Sequence, residues 1–292
     1  MIPYAIYDVF TDKAYAGNPL AIVMEADGLS TEQMQTMARE FNLSETIFVK
    51  TPVDPANTAH VRIFFPTAEI PFAGHPTIGC ALHLAKTRGL NSVTLEEVAG
   101  LVPVAFATKD TGLSATFTAP IVPHVVKDDC DKGLIAAALG LELEDFAPTK
   151  ARTCTGGPTF LYAPLKSTEA LAKAKPQEPA FSKMSAACGV DSIYLYTPDF
   201  EARMFAPHAG IPEDPATGSA SALLAAQLHA DGQFSEGTNS LTLHQGRDMG
   251  RLSSVGFAAD VQDDALRAVR ISGQAVCLAQ GHIAPPPPHP AT

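Results

Sequence analysis

Positive charge is in short supply in this chain. Its 292 residues carry 20 Lys and Arg against 31 Asp and Glu, a formal net charge of −11, and no basic run stands out. The electrostatic footprint of a protein that grips nucleic acid or an anionic membrane is therefore missing, and neither is expected as a partner. Long apolar runs are missing too: no stretch reaches the roughly 18 uninterrupted apolar residues of a membrane span. The opening Met1-Ile2-Pro3-Tyr4-Ala5 lacks the positive segment and apolar run of an export signal, so a cytoplasmic location is expected. Paired cysteines are also absent. Cys80, Cys130, Cys154, Cys188 and Cys277 stand singly, with no C-x-x-C pair and no histidine at ligand spacing. That pattern predicts reduced, mostly buried thiols and no metal site. What the chain has is apolar material: 46% hydrophobic and 17% charged residues are enough to fill two cores of ordinary domain size.

Two stretches repeat each other. Pro66-Thr67-Ala68-Glu69-Ile70-Pro71 is echoed by Pro207-His208-Ala209-Gly210-Ile211-Pro212, at a spacing of 207 − 66 = 141 residues, close to half of 292. Each stretch leads through a Gly turn into a nearly charge-free segment, Ile78 to Ala85 and Ala220 to Ala230, whose lack of a solvent face predicts a buried helix. Earlier landmarks match in the same order. Gly17-Asn18-Pro19-Leu20-Ala21-Ile22-Val23 resembles Gly156-Gly157-Pro158-Thr159-Phe160-Leu161-Tyr162, and Glu45-Thr46-Ile47-Phe48-Val49 resembles Asp191-Ser192-Ile193-Tyr194-Leu195. Short strands are predicted at Tyr4–Phe10, Leu20–Val23, Glu45–Val49 and Val61–Phe65, and the capping box Ser30-Thr31-Glu32-Gln33 predicts a helix from Thr31 to Glu40. Strand-rich halves with one apolar helix each predict an α+β fold in which a curved, mostly antiparallel sheet wraps a central helix. The expected domains are 1–125 and 126–283, with the last strands free to cross back to the first. Residues 284–292 read as a Pro-rich mobile tail.

The two Gly turns carry the chemistry. A helix start leaves backbone N–H groups without an intrahelical acceptor at the positive end of the dipole, which suits a carboxylate or a developing enolate. Around the first helix Gly74 shapes the turn and Pro76 has no N–H, so the expected donors are Thr77 and Ile78; around the second they are Gly218, Ser219 and Ala220. If duplication brings both ends to a domain interface, they would hold one small acid from two sides. His75 reads equally as a core histidine and as a substrate contact or proton donor. Glu45 shares a strand face with Ile47 and Val49, where burial would raise its pKa into the range of a general base; an exposed strand-end glutamate is the alternative. Asp214 is either a turn residue before Pro215 or a site residue just ahead of the second helix.

These motifs resemble a known family. Tyr7-Asp8-Val9-Phe10-Thr11 leading to Gly17-Asn18-Pro19, Asn42-Leu43-Ser44-Glu45-Thr46, Pro71-Phe72-Ala73-Gly74-His75-Pro76-Thr77, Glu213-Asp214-Pro215-Ala216-Thr217-Gly218-Ser219-Ala220 and Gln245-Gly246-Arg247-Asp248-Met249-Gly250-Arg251 look like the phenazine biosynthesis PhzF-like family. The resemblance implies the diaminopimelate epimerase-like fold with two pseudo-symmetric domains, a homodimer, and isomerisation of a small carboxylic acid without metal or organic cofactor. It also implies that Glu45 shuttles the proton, with His75, Asp214 and Ser219 at substrate-contacting positions. Cysteine-dependent racemases of that fold place a thiol before each Gly turn. Here Ala73 and Thr217 stand there, which disfavours two-base stereoinversion and favours one-base transfer through Glu45. An epimerase or lyase acting on another acid, and a non-catalytic acid-binding protein, remain as alternatives.

Overall fold

The computed structural model describes residues 1–287 and divides into two compact units. The first comprises Met1–Pro120 together with the chain from Ser272 onward; the second is Ile121–Ile271. The boundary thus lies slightly ahead of the expected 125/126. The segment from Ser272 onward, within the 126–283 range but left free to cross back, belongs to the first unit.

Unit one contains β1 (Ile2–Val9), β2 (Asn18–Val23), α1 (Thr31–Phe41), β3 (Glu45–Lys50), β4 (Ala59–Phe64), β5 (Glu69–Ile70), α2 (Gly74–Arg88), β6 (Ser92–Glu97), β7 (Gly100–Lys109) and β8 (Gly112–Thr118). Unit two contains β9 (His124–Cys130), α3 (Lys132–Leu139), β10 (Ala151–Thr155), β11 (Thr159–Pro164), α4 (Thr168–Lys173), α5 (Ala180–Cys188), β12 (Ile193–Tyr196), β13 (Glu201–Ala206), β14 (Ile211–Asp214), α6 (Gly218–Ala230), β15 (Gly237–Gln245), β16 (Ser253–Gln262) and most of β17 (Ala265–Gly273). The last strand, β18 (Ala275–Ile283), returns to unit one and pairs antiparallel with β1, Ile2 opposite Ile283.

The pairing patterns repeat. In unit one, β1–β2, β3–β4, β4–β5 and β6–β7 are antiparallel, whereas β2–β3 and β4–β6 are parallel. In unit two, β10–β11, β12–β13, β13–β14 and β15–β16 are antiparallel, whereas β11–β12 and β13–β15 are parallel. The role β18 plays beside β1 falls in the second unit to β9, which pairs antiparallel with β10.

Local signals set the helices. Ser30 Oγ accepts from the Gln33 N–H at 3.3 Å while Gln33 Oε1 accepts from the Ser30 N–H at 3.0 Å, closing the capping box of α1. The helix stops where Asn42 takes the left-handed conformation at φ 50°. Its buried face, Met34, Met37 and Ala38, packs with Phe48 and Phe64. Along α2 every residue from Gly74 to Ala85 is buried, and the helix touches β18, β1, β2, β3, β6 and β8. Strands roughly 4.8 Å apart, eight abreast, would span about 34 Å if flat, about three helix widths. One helix can reach both edges only if the sheet curves around it. Gly79 permits the approach: a Cβ there would lie 2.5 Å from Leu20 Cδ2 and 2.8 Å from Val9 Cγ2. The tail expectation concerns 284–292. Within it, Gln33 Nε2 donates to the Pro286 carbonyl at 2.6 Å, and 288–292 lie outside the described residues.

Candidate active site

Glu45 opens β3, opposite Leu20 of the parallel strand β2, and is 7% exposed. It is not the solvated strand-end glutamate that was its alternative. His75 sits in the first turn of α2 and is 2% exposed. Its Nδ1 lies 3.2 Å from Glu45 Oε2 and 3.3 Å from Asn18 Nδ2, so three buried polar side chains meet at one ring nitrogen. Nε2 of His75 is buried with no hydrogen-bond partner among the described residues. Burial pushes the imidazole down to about 3, so His75 is neutral near pH 7. The Glu45 carboxyl oxygen therefore stands 3.2 Å from the nitrogen of a neutral imidazole, a close contact between two buried polar groups. Asn18 is a donor at Nδ2, and its proximity favours the state in which Nδ1 accepts.

The head of α2 differs from expectation in its donors. The Thr77 amide is spent on the Ala73 carbonyl at 3.3 Å, the first bond of the helical ladder. Because the ladder begins there and Pro76 has no N–H, the amides without an intrahelical acceptor are those of Gly74 and His75, not Thr77 and Ile78. Thr77 instead works through its hydroxyl, whose Oγ1 lies 2.7 Å from both Ala73 O and Glu97 Oε1. One hydroxyl proton cannot serve two acceptors. Burial pushes Glu97 from the ordinary 4.5 up to about 8, so at neutral pH the carboxyl keeps its proton, donates to Thr77 Oγ1, and frees Thr77 to donate to Ala73. Glu97 Oε2, buried without a partner among the described residues, fits a neutral acid better than a carboxylate. The chain Glu97–Thr77–Ala73 thus anchors the N-cap of α2, two residues ahead of His75.

The second unit carries the other candidates. Asp214 ends β14 at 3% exposure and accepts from Thr217 Oγ1 at 2.5 Å. Gln245 closes the set: its Nε2 donates to the Asp214 carbonyl at 2.7 Å and its Oε1 accepts from the Thr217 N–H at 3.2 Å. Intrahelical bonding in α6 begins with the Ser221 N–H to the Thr217 carbonyl. The amides of Gly218, Ser219 and Ala220 are accordingly the ones the ladder leaves over, a group able to hold an oxyanion. Ser219 is the half-exposed member, while Gly218 and Ala220 are buried. Asp191, the repeat partner of Glu45, lies outside β12 with a 66% exposed side chain and accepts from Ser185 Oγ and His208. The duplicated frame therefore carries a buried acid in only one copy of this position.

Asn18 and Gln245 were present in the quoted motifs with no role attached. Glu97 had no sequence signal, because an acid at a strand end before a turn looks solvated.

Comparisons with known proteins follow the same lines. The family model described as phenazine biosynthesis-like protein, PhzC-PhzF, matches residues 7–281. The chain is 37% identical to an uncharacterized isomerase of Mesorhizobium japonicum, with 96% of this chain and 98% of the relative covered. It is 34% identical to the trans-2,3-dihydro-3-hydroxyanthranilate isomerase of Pseudomonas aeruginosa, covering 95% of this chain and 98% of that protein. A crystal structure of a PhzF-family phenazine biosynthesis protein from Bacillus anthracis superposes with a TM-score of 0.85 at 27% identity, over 97% of this chain and 99% of the other. The α+β fold is the diaminopimelate epimerase-like one.

Proposed function

Because this chain belongs to the phenazine biosynthesis-like PhzC-PhzF family and is an isomerase of that type, we propose that it moves a proton within a small cyclic or unsaturated carboxylic acid, with Glu45 as base and then acid. The observation that carries the reading is the buried contact of Glu45 with a neutral His75 whose Nε2 has no protein partner among the described residues. A buried, unsatisfied ring nitrogen costs about 1–3 kcal/mol; a substrate oxygen or hydroxyl would satisfy it. Glu45 would remove a C–H proton made acidic by conjugation, and the protonated carboxyl, held through Oε2 against His75 Nδ1, would return it at another carbon. The Gly74 and His75 amides would take the carboxylate or the charge that develops on it. Ala73 and Thr217, where a two-thiol racemase needs cysteines, leave one carboxyl to do both transfers.

A panel of cyclic and unsaturated carboxylic acids incubated with the protein in heavy water tests this by NMR. An accepted substrate takes up deuterium at the carbon that receives the proton, and Glu45→Gln abolishes both exchange and product. Wild-type turnover in Glu45→Gln would refute the mechanism.

A further inference from the structure

Each buried helix is fastened at its head by the last residue of a strand, and the two residues are equivalent. The 141-residue repeat carries His60 of β4 onto Glu201 of β13. His60 pairs with Glu96 of β6 and Glu201 with His244 of β15, so the positions that follow, Glu97 and Gln245, correspond. Both end their strands, and both are buried. In the second unit Gln245 Nε2 donates to the Asp214 carbonyl at 2.7 Å and to Thr217 Oγ1 at 3.1 Å, and the Thr217 hydroxyl donates onward to Asp214 Oδ2. An acid at the equivalent position can donate to a threonine hydroxyl in the same way only while it keeps its proton.

In the first unit that hydroxyl is Thr77 Oγ1, 2.7 Å from Glu97 Oε1 and 2.7 Å from the Ala73 carbonyl oxygen. The turn after Glu97 adds a second tie, from the Ala99 N–H to the Pro71 carbonyl at 3.0 Å. The Ala73 carbonyl and the Gly74 N–H are the two ends of one planar peptide. Whatever turns the carbonyl turns the amide, and that amide is one of those at the head of α2 with no intrahelical acceptor. A donor on the carbonyl also polarises the peptide and strengthens its N–H toward an anion.

We propose that Glu97 is a positioning residue: acting through the Thr77 hydroxyl, it fixes the Ala73–Gly74 peptide so that the Gly74 N–H is aimed at the carboxylate or developing charge of the substrate. What the amide holds rests on the proton-transfer reading above; the coupling of Glu97 to the peptide does not. Burial keeps the proton on Glu97 up to about 8. At higher pH the carboxylate takes the Thr77 hydroxyl proton, and the Ala73 carbonyl keeps only the Thr77 N–H at 3.3 Å. The groups around Glu97 leave this titration to burial and the hydroxyl: α2 presents Thr77 and Cys80, whose thiol burial keeps neutral, β7 sets Gly100 opposite, and His60 of β4 pairs with Glu96 instead.

The full chain, labelled with carbon-13 and nitrogen-15 and free of ligand, is titrated between about pH 6 and about pH 10. Carbon-detected NMR gives one cross peak joining the Ala73 carbonyl carbon to the Gly74 nitrogen, and amide exchange at high pH does not erase it. That peak should titrate once in the wild type with a midpoint of about 8, stay still in Glu97→Gln and in Thr77→Val, and move again in Thr77→Ser. For any acid that takes up deuterium, kcat should fall on the order of tenfold as wild-type Glu97 ionises, with KM changing less, and Glu97→Gln should lack the fall. The proposal is overturned if the peak stays still in the wild type, if it moves equally in Glu97→Gln or Thr77→Val, or if kcat follows pH identically in wild type and Glu97→Gln. Exchange with no acid would count against the proton-transfer reading alone, because the peak decides the coupling without a substrate. Should Thr77→Val fail to fold, the wild type against Glu97→Gln decides.

Discussion

Glu97→Gln is expected to stabilise this protein at neutral pH, although it replaces a buried, hydrogen-bonded residue. In the folded chain burial raises Glu97 from 4.5 to about 8. An acid raised by folding contributes stability that is complete below its unfolded value and is lost as pH climbs toward its folded value. The loss runs at about 1.4 kcal/mol per pH unit, because the unfolded chain sheds the proton while the folded one retains it. Between the ordinary 4.5 and about pH 7 that amounts to about 3 kcal/mol, and above the folded value it levels off near about 5. Glutamine cannot ionise, and its amide donates to Thr77 Oγ1 as the protonated acid does, so the Thr77–Ala73 bond survives. The assay is urea unfolding followed by circular dichroism across the acid-to-neutral range. Wild type and variant should coincide within about 1 kcal/mol below the ordinary carboxyl value and diverge by about 3 near neutrality. His75 bends both curves alike and cancels in the difference: depressed to about 3, it stabilises above its unfolded value of 6.5 and costs stability as pH falls. A Glu97→Gln chain less stable than wild type at neutral pH, or separated from it by a gap constant with pH, would refute the protonated-acid reading.

Other substitutions probe the frame and the site. Asn18→Ala removes the amide at His75 Nδ1 and should lower turnover by on the order of tenfold, measured under the same exchange assay, with fold retained by circular dichroism. Gly79→Ala drives a methyl into Leu20 and Val9 and should cost about 1–3 kcal/mol in chemical denaturation. Arg203 is 7% exposed, binds Glu213 through two nitrogens at 2.8 and 2.7 Å, and donates to the Leu171 and Ala174 carbonyls. Arg203→Ala strands the Glu213 carboxylate and should cost about 3–5 kcal/mol, whereas a surface change such as Lys109→Ala should cost almost nothing.

The sequence carried those features that are local or duplicated. Ser30 and Gln33 announced α1 because both halves of a capping box lie within four residues, and the apolar run after Gly74 announced a buried helix because no face of it was polar. The twin Pro-x-Ala-x-Ile-Pro elements exposed the repeated pairing scheme. Glu45 and His75 were legible as candidates, yet their direct contact, with Asn18 beside it, joins residues from β3, α2 and β2 that only tertiary packing brings together. Donor assignment at the head of α2 went astray by one turn, because whether the ladder starts at Gly74 or after Pro76 depends on the conformation of Ala73. Glu97 was invisible for a related reason: what makes it unusual is what surrounds it, and its surroundings come from distant segments.

The pairing of β1 with β18 also sets an order of events. Residues 2–9 leave the ribosome long before their partner strand at 275–283, which is made only after all of 121–271. The second unit can gather its whole chain and close while one edge of β1 still has bare N–H and C=O groups. Such a long-range closure is slow relative to local hairpins. The nascent first half is therefore the stage at which this protein is most exposed to mispairing, and loss of the final strand would injure the beginning of the chain more than its end.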